Sequence, residues 1–320
     1  MPATEVHKTR NWSSRSIGSQ LQHRIFYLLI RLGGRRAAYA LLYFVVLYYV
    51  LLRPAVRGKT FPYLRRRFPQ EGGTPRLHNS YRMSLELGKV LVDRAVVGIL
   101  GPSAMRVEMD GGEKLLELVG EGRGLILLTA HVGCWQVAMS ALGFLQVPVN
   151  LLMQRETGDI DRHYFEHAGI ECPYKIIDPR GFLGGALEMV EVLKRGEILS
   201  VMGDRMLGND QNGVGADFLG APVRFPFSAY KLASATGAPV AVVLSAKTGP
   251  ASYELKLYDV IRVPAGLGRK EECFAPHAAR FARALERFCA EHPYQFFNFF
   301  DLWHDPDRAK DRRRTESEEL

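Results

Sequence analysis

The chain has 320 residues, 47% of them hydrophobic and 24% charged, with a formal net charge of +8. That length can build one large core or two modest ones. Its four cysteines, Cys134, Cys172, Cys273 and Cys289, form no C-x-x-C pair, which argues against a zinc ribbon or redox motif and fits a reduced cytoplasm.

The charge is unevenly spread. Residues 1–70 hold 13 Lys and Arg against a single acid, Glu5, whereas the remainder holds 29 basic and 33 acidic residues. Within the basic segment, Ala37 to Leu52 is a run of sixteen residues without a charge, flanked by Arg35 and Arg36 before it and Arg53 and Arg57 after it. A helix of that length spans about 24 Å, short of a hydrocarbon core of about 30 Å. Basic residues beside an apolar run favour an anionic membrane surface over nucleic acid. Because both flanks are basic, the helix fits a position in the cytoplasmic leaflet at least as well as a single span. The plainer alternative is a buried helix of the soluble core. Residues 1–57 therefore read as a basic and apolar membrane anchor. Residues 58–112 read as a linker, rich in Pro and Gly between 53 and 75, followed by a helical lead-in over 80–99.

From Glu113 onward the pattern alternates. Apolar runs at 124–130, 147–153, 174–178, 197–203 and 238–246 predict strands. Periodic segments at 134–144, 160–168, 182–195 and 228–236 predict helices, 252–263 an added edge strand, and 271–291 an amphipathic helix. The expected fold is α/β: a largely parallel sheet flanked by helices over 113–304, with an N-terminal membrane-associated helical segment. The charged tail 305–320 lacks apolar periodicity and reads as disordered.

The chemistry is carried by four blocks. His131 ends an apolar run and opens His131-Val132-Gly133-Cys134-Trp135-Gln136. A histidine at the end of a buried strand suits a general base, since neutral imidazole is available near pH 7. Leu151-Leu152-Met153-Gln154-Arg155 follows, then Val201-Met202-Gly203-Asp204-Arg205, then Asp217 to Pro226 with Arg224, running on to Thr236-Gly237-Ala238-Pro239. Asp204 also sits at a strand end, and such ends converge on one crevice in an open α/β sheet. Each feature has a plainer reading as well: a capping histidine, an Asp204–Arg205 ion pair, three surface arginines, a packing Trp135.

In that order the blocks, with His292-Pro293-Tyr294-Gln295, resemble the late acyltransferases of lipid A biosynthesis and related lysophospholipid acyltransferase-like enzymes. Their motif is His-x4-Asp/Glu, and Gln136 stands here where the acid belongs. The resemblance implies a membrane-associated acyltransferase that moves a fatty acyl group from a thioester on acyl carrier protein or coenzyme A. The acceptor would be a hydroxyl or amine of a lipid, lipid A-type or lysolipid, at the cytoplasmic face of the inner membrane. No separate cofactor or metal is expected. His131 would be the base, with Asp204 supplying the acid that Gln136 cannot and Gln136 accepting from the ring. Gly133 would offer main-chain donors to an oxyanion, and Trp135 would touch the acyl chain. Arg155, Arg205 and Arg224 would bind anionic groups of the substrates. The alternative is a non-catalytic membrane-binding relative that keeps the fold. A hydrolase using Cys134 or a serine is disfavoured by the absence of a Gly-x-Ser-x-Gly elbow.

Overall fold

A computed structural model describes residues 20–154, 174–206, 212–268 and 270–303. The described residues begin with three helices: α1 (Gln20–Leu52), α2 (Pro54–Arg67) and α3 (Gly73–Leu100). Among the described residues nine strands follow, interleaved with helices. They are β1 (Arg106–Asp110), β2 (Leu125–Thr129), β3 (Val149–Leu152), β4 (Lys175–Ile177), β5 (Ile198–Met202), β6 (Gly213–Phe218), β7 (Ala221–Pro226), β8 (Val240–Lys247) and β9 (Ser252–Ile261). The helices among and after them are α4 (Gly112–Gly120), α5 (Trp135–Ser140), α6 (Ala186–Lys194), α7 (Ser228–Thr236) and α8 (Ala275–Glu291).

Seven strands form one sheet in the order β1-β9-β8-β2-β5-β3-β4, and β6 and β7 make a separate antiparallel hairpin. Strands β8, β2, β5, β3 and β4 run parallel to one another. Their apolar runs are buried on both faces, as a sheet covered on both sides requires. Ile126 and Leu128 of β2 face the cluster that holds Phe281, Leu285 and Phe288 of α8. Leu125 and Leu127 face the opposite cluster with Leu115 and Leu118 of α4.

Three expectations needed correction. The stretch 53–75 is not a loop: Pro54 begins α2, where a missing N–H costs nothing, and buried Thr60, Tyr63 and Leu64 hold the helix in place despite the interior Pro62. Strand β9 is not an edge, because β1 pairs with it in parallel, Arg106 opposite Ser252. The helix expected over 134–144 is six residues of α5 followed by a tighter 3-10 turn at Ala141–Leu145. The helix expected at 160–168 and the tail 305–320 lie outside the described residues.

Helix α1 bends at Gly34, whose φ of 63° and ψ of −166° are not helical. Ile30, Ala38, Leu42, Val46 and Val50 of α1 are buried in one cluster with Leu85, Val92 and Val96 of α3. The two helices meet closely at Gly88, where a Cβ would come within 2.7 Å of Leu42 Cδ1. The other side of α1 leaves Ile25, Leu28, Leu32, Phe44, Leu47, Tyr48, Leu51 and Leu52 exposed. By length and composition Arg24–Leu52 could cross a membrane.

Candidate active site

The site is built by register. Strands β2 and β5 are parallel neighbours, with Leu125 opposite Ile198 and Thr129 opposite Met202. Two residues beyond each strand, the same offset brings His131 beside Asp204. The backbone holds the two exits together through the Gly203 N–H donating to Thr129 O at 2.8 Å. His131 Nδ1 lies 2.8 Å from Asp204 Oδ1 and 3.0 Å from Oδ2. A carboxylate only accepts, so Nδ1 carries the proton and Nε2 is left as a base.

The turn after His131 depends on Gly133. Its φ is +49°, and a Cβ there would sit 2.2 Å from the Ser245 carbonyl oxygen. Only glycine lets the chain cross the end of β8 this closely. The carbonyl of His131 accepts from the Phe297 N–H at 2.7 Å. Val132 and Phe296 form an antiparallel bridge beside it. The C-terminal segment thus acts as a short extra strand beside the histidine loop.

Asp204 is fully buried, while the His131 side chain keeps 25% of its exposure, so the dyad has a buried acid and a ring that reaches the surface. Burial pushes the His131 imidazole below its usual range; Asp204 pulls it up, Arg205 pushes it down, and the net is downward. Burial alone would raise the Asp204 carboxyl, but His131 and then Arg205 hold it below the ordinary carboxylate range. The dyad therefore rests as neutral imidazole beside carboxylate.

The remaining expected site residues are spread out. Arg205 stands behind the dyad: its Nε is 3.8 Å from Asp204 Oδ2, its Nη2 donates to Phe297 O at 2.6 Å, and its guanidinium lies 5.3 Å from the Phe300 ring centre. Gln136 is buried, with Oε1 3.5 Å from the Cys134 thiol, and the Nδ1 position that a motif acid would serve is filled by Asp204. Trp135 packs edge-on against Tyr174, ring centres 5.6 Å apart. Arg224 sits on the β6–β7 hairpin, where it donates to Gly213 O and pairs with Glu271 at 3.0 Å. Arg155 lies outside the described residues. Cys134 is buried, and burial pushes its thiol up to about 11, the opposite of what a nucleophilic cysteine requires.

Sequence reasoning missed the part played by the main chain of Phe297, which holds both the His131 carbonyl and the Arg205 guanidinium. Residues 294–300 are mostly aromatic, but backbone roles leave no residue signature. Among the described residues no group of three or more His, Cys, Asp or Glu could hold a metal ion. A family model described as bacterial lipid A biosynthesis acyltransferase matches residues 83–305, which spans the whole sheet and both members of the dyad. No curated protein matches the chain.

Proposed function

The chain belongs to the bacterial lipid A biosynthesis acyltransferases, and from that premise we propose that His131 and Asp204 carry the transfer of a fatty acyl group from a thioester to a lipid acceptor. Family membership makes the protein an acyltransferase acting on lipid A-type acceptors. The donor proposed is an acyl group on acyl carrier protein or coenzyme A, and the acceptor group is a hydroxyl or an amine.

The observation that carries this reading is the dyad itself: a buried carboxylate bonded to Nδ1 of a part-exposed imidazole, at the ends of two parallel strands. Nε2 takes the acceptor proton as its oxygen or nitrogen attacks the thioester carbonyl. The tetrahedral intermediate collapses, the C–S bond breaks, and the imidazolium returns the proton to the leaving thiolate. Asp204 fixes the tautomer and stabilises the imidazolium while it exists. In this reading Arg205 braces Asp204, Gln136 packs the turn beneath it, and Trp135 borders the acyl chain.

We further propose that the protein works at the cytoplasmic face of the inner membrane, held by the exposed face of α1. The reading is supported by where α1 lies. Strands β2, β5 and β8 deliver their C-terminal ends to one edge of the sheet. At that edge Lys247 of β8 pairs with Asp93 of α3, the helix on which α1 packs. Through α3, helix α1 is thus docked at the end of the sheet where the dyad sits, which suits a lipid acceptor presented from a bilayer. Lipids extracted from a strain lacking the gene test the function. Mass spectra should lose one acyl chain from a lipid A-type species and regain it with the intact gene but not with His131→Ala. An unchanged lipid profile would remove the acceptor class.

A further inference from the structure

The mechanism leaves one buried charged cluster unused. Asp93 of α3 is fully buried and binds Lys247, whose side chain keeps 5% of its exposure. Tyr39 of α1 donates to Asp93 Oδ1 and Tyr253 of β9 donates to Oδ2, each at 2.6 Å. Lys247 Nζ also donates to Pro250 O at 2.9 Å and lies 4.8 Å from the Tyr253 ring centre. Arg35 of α1 stands 4.0 Å from Oδ1 and donates to Ala104 O at 3.1 Å. Four elements, α1, α3, β8 and β9, thus meet at one carboxylate.

The cluster continues toward the dyad. The Lys247 N–H donates to Gln295 Oε1 at 2.7 Å, and Gln295 Nε2 donates back to Lys247 O at 2.8 Å, all of it buried. The next two residues after Gln295 are the bridge: Phe296 pairs with Val132, and Phe297 holds the His131 carbonyl and Arg205. A buried ion pair is a poor source of stability compared with apolar side chains of the same volume. Its directional bonds instead admit one arrangement of the parts that meet there.

We propose that the Asp93–Lys247 pair and Gln295 form a positioning latch that carries the docking of the N-terminal helices to the catalytic histidine. Gln295 is the positioning residue: it fixes residues 296–297 against the end of β8, and those residues fix the main chain at His131. The latch rests on the acyltransferase reading given above. Its consequence is that α1 and α3 set the geometry of the dyad as well as the location of the enzyme.

The full-length enzyme in mixed micelles tests this with an acyl thioester and a lipid A-type acceptor. Gln295→Met keeps the volume and loses both bonds to Lys247. It should lower kcat by about tenfold or more while KM for each substrate stays within about threefold. In an Asp204→Asn background the same substitution should cost less than about threefold, because residues acting through one unit are not additive. The paired substitution Asp93→Asn with Lys247→Met removes both charges together and should give the same coupled loss, with melting temperatures reporting that each variant is folded. Additive losses, kcat unchanged in the folded variants, or loss of folding in both variants would each overturn the latch. Absence of transfer by the wild-type enzyme would instead refute the acyltransferase chemistry, so the two failures are distinguishable.

Discussion

Asp204→Asn tests the division of labour in the dyad. The substitution keeps the shape of the side chain and removes its charge. Both carboxylate oxygens lie within 3.0 Å of Nδ1 and the group is fully buried, so water does not screen it. With charge centres roughly 4 Å apart and an effective dielectric near 20, carboxylate and imidazolium attract by about 4 kcal/mol. That support exists only once the proton has moved to His131, so losing it should lower kcat by about 10³-fold. Gln136→Ala removes no charge and should cost far less. The pH profile gives a second reading. The base must be neutral, so activity falls as pH drops through the His131 pKa, which burial already holds below its ordinary value. Asn at 204 removes the pull upward and leaves the push from Arg205, so the acid limb should move to lower pH. The assay is thioester consumption coupled to mass detection of acylated lipid, from about pH 4.5 to 8 to bracket an ordinary histidine. A variant within tenfold of wild type, or a limb moving to higher pH, would refute the reasoning.

Gly133→Ala should abolish transfer and lower the melting temperature by several degrees, because a Cβ at φ +49° would meet the Ser245 carbonyl oxygen at 2.2 Å; a stable, active alanine variant would mean the turn can be rebuilt. Gly88→Ala should destabilise by about 1–3 kcal/mol through overpacking, since its Cβ would crowd Leu42 at 2.7 Å; denaturant titration measures it, and an unchanged midpoint would deny the tight α1–α3 crossing. Phe44→Glu with Leu47→Glu alters residues 73% and 44% exposed, so it should weaken binding to anionic vesicles in flotation while leaving the melting temperature in detergent within about 2 °C, as expected for surface changes. Equal flotation of that variant and the wild type would remove the α1 face from membrane contact.

The sheet was legible in the sequence because its strands are continuous apolar runs: Leu125–Thr129 and Ile198–Met202 fell within expected segments, and Val240–Lys247 runs one residue past the end of its own. Asp204 could be paired with His131 from sequence because both close such runs. The register then supplied what sequence could not, an equal offset along two neighbouring strands. Helix α2 was hidden because Pro54, Gly58 and Pro62 speak against a helix locally, while the contacts that hold Tyr63, such as its hydroxyl donating to Pro293 O at 2.8 Å, come from 230 residues away. Strand β1 was hidden because alternate residues of Arg106–Asp110 are exposed, which leaves no apolar run. The β6–β7 hairpin turns at Leu219-Gly220, both at positive φ; Val214, Ala216 and Phe218 alternate along β6 and Ala221, Val223 and Phe225 along β7, but the pattern is short and broken up by Gly215, Pro222 and Pro226, residues that speak against a strand locally. Lys247 and Asp93 did leave a signal: each is a lone charge in an otherwise apolar strand or helix face, and such a charge needs a buried partner.

The most direct test of the central claim is single-turnover transfer of a labelled acyl group from acyl carrier protein or coenzyme A to a lipid A-type acceptor, comparing the wild type with His131→Ala. The account predicts transfer by the wild type from at least one donor, and loss of at least about 10³-fold in a His131→Ala protein that still melts cooperatively. Transfer by His131→Ala within tenfold of the wild type would contradict it.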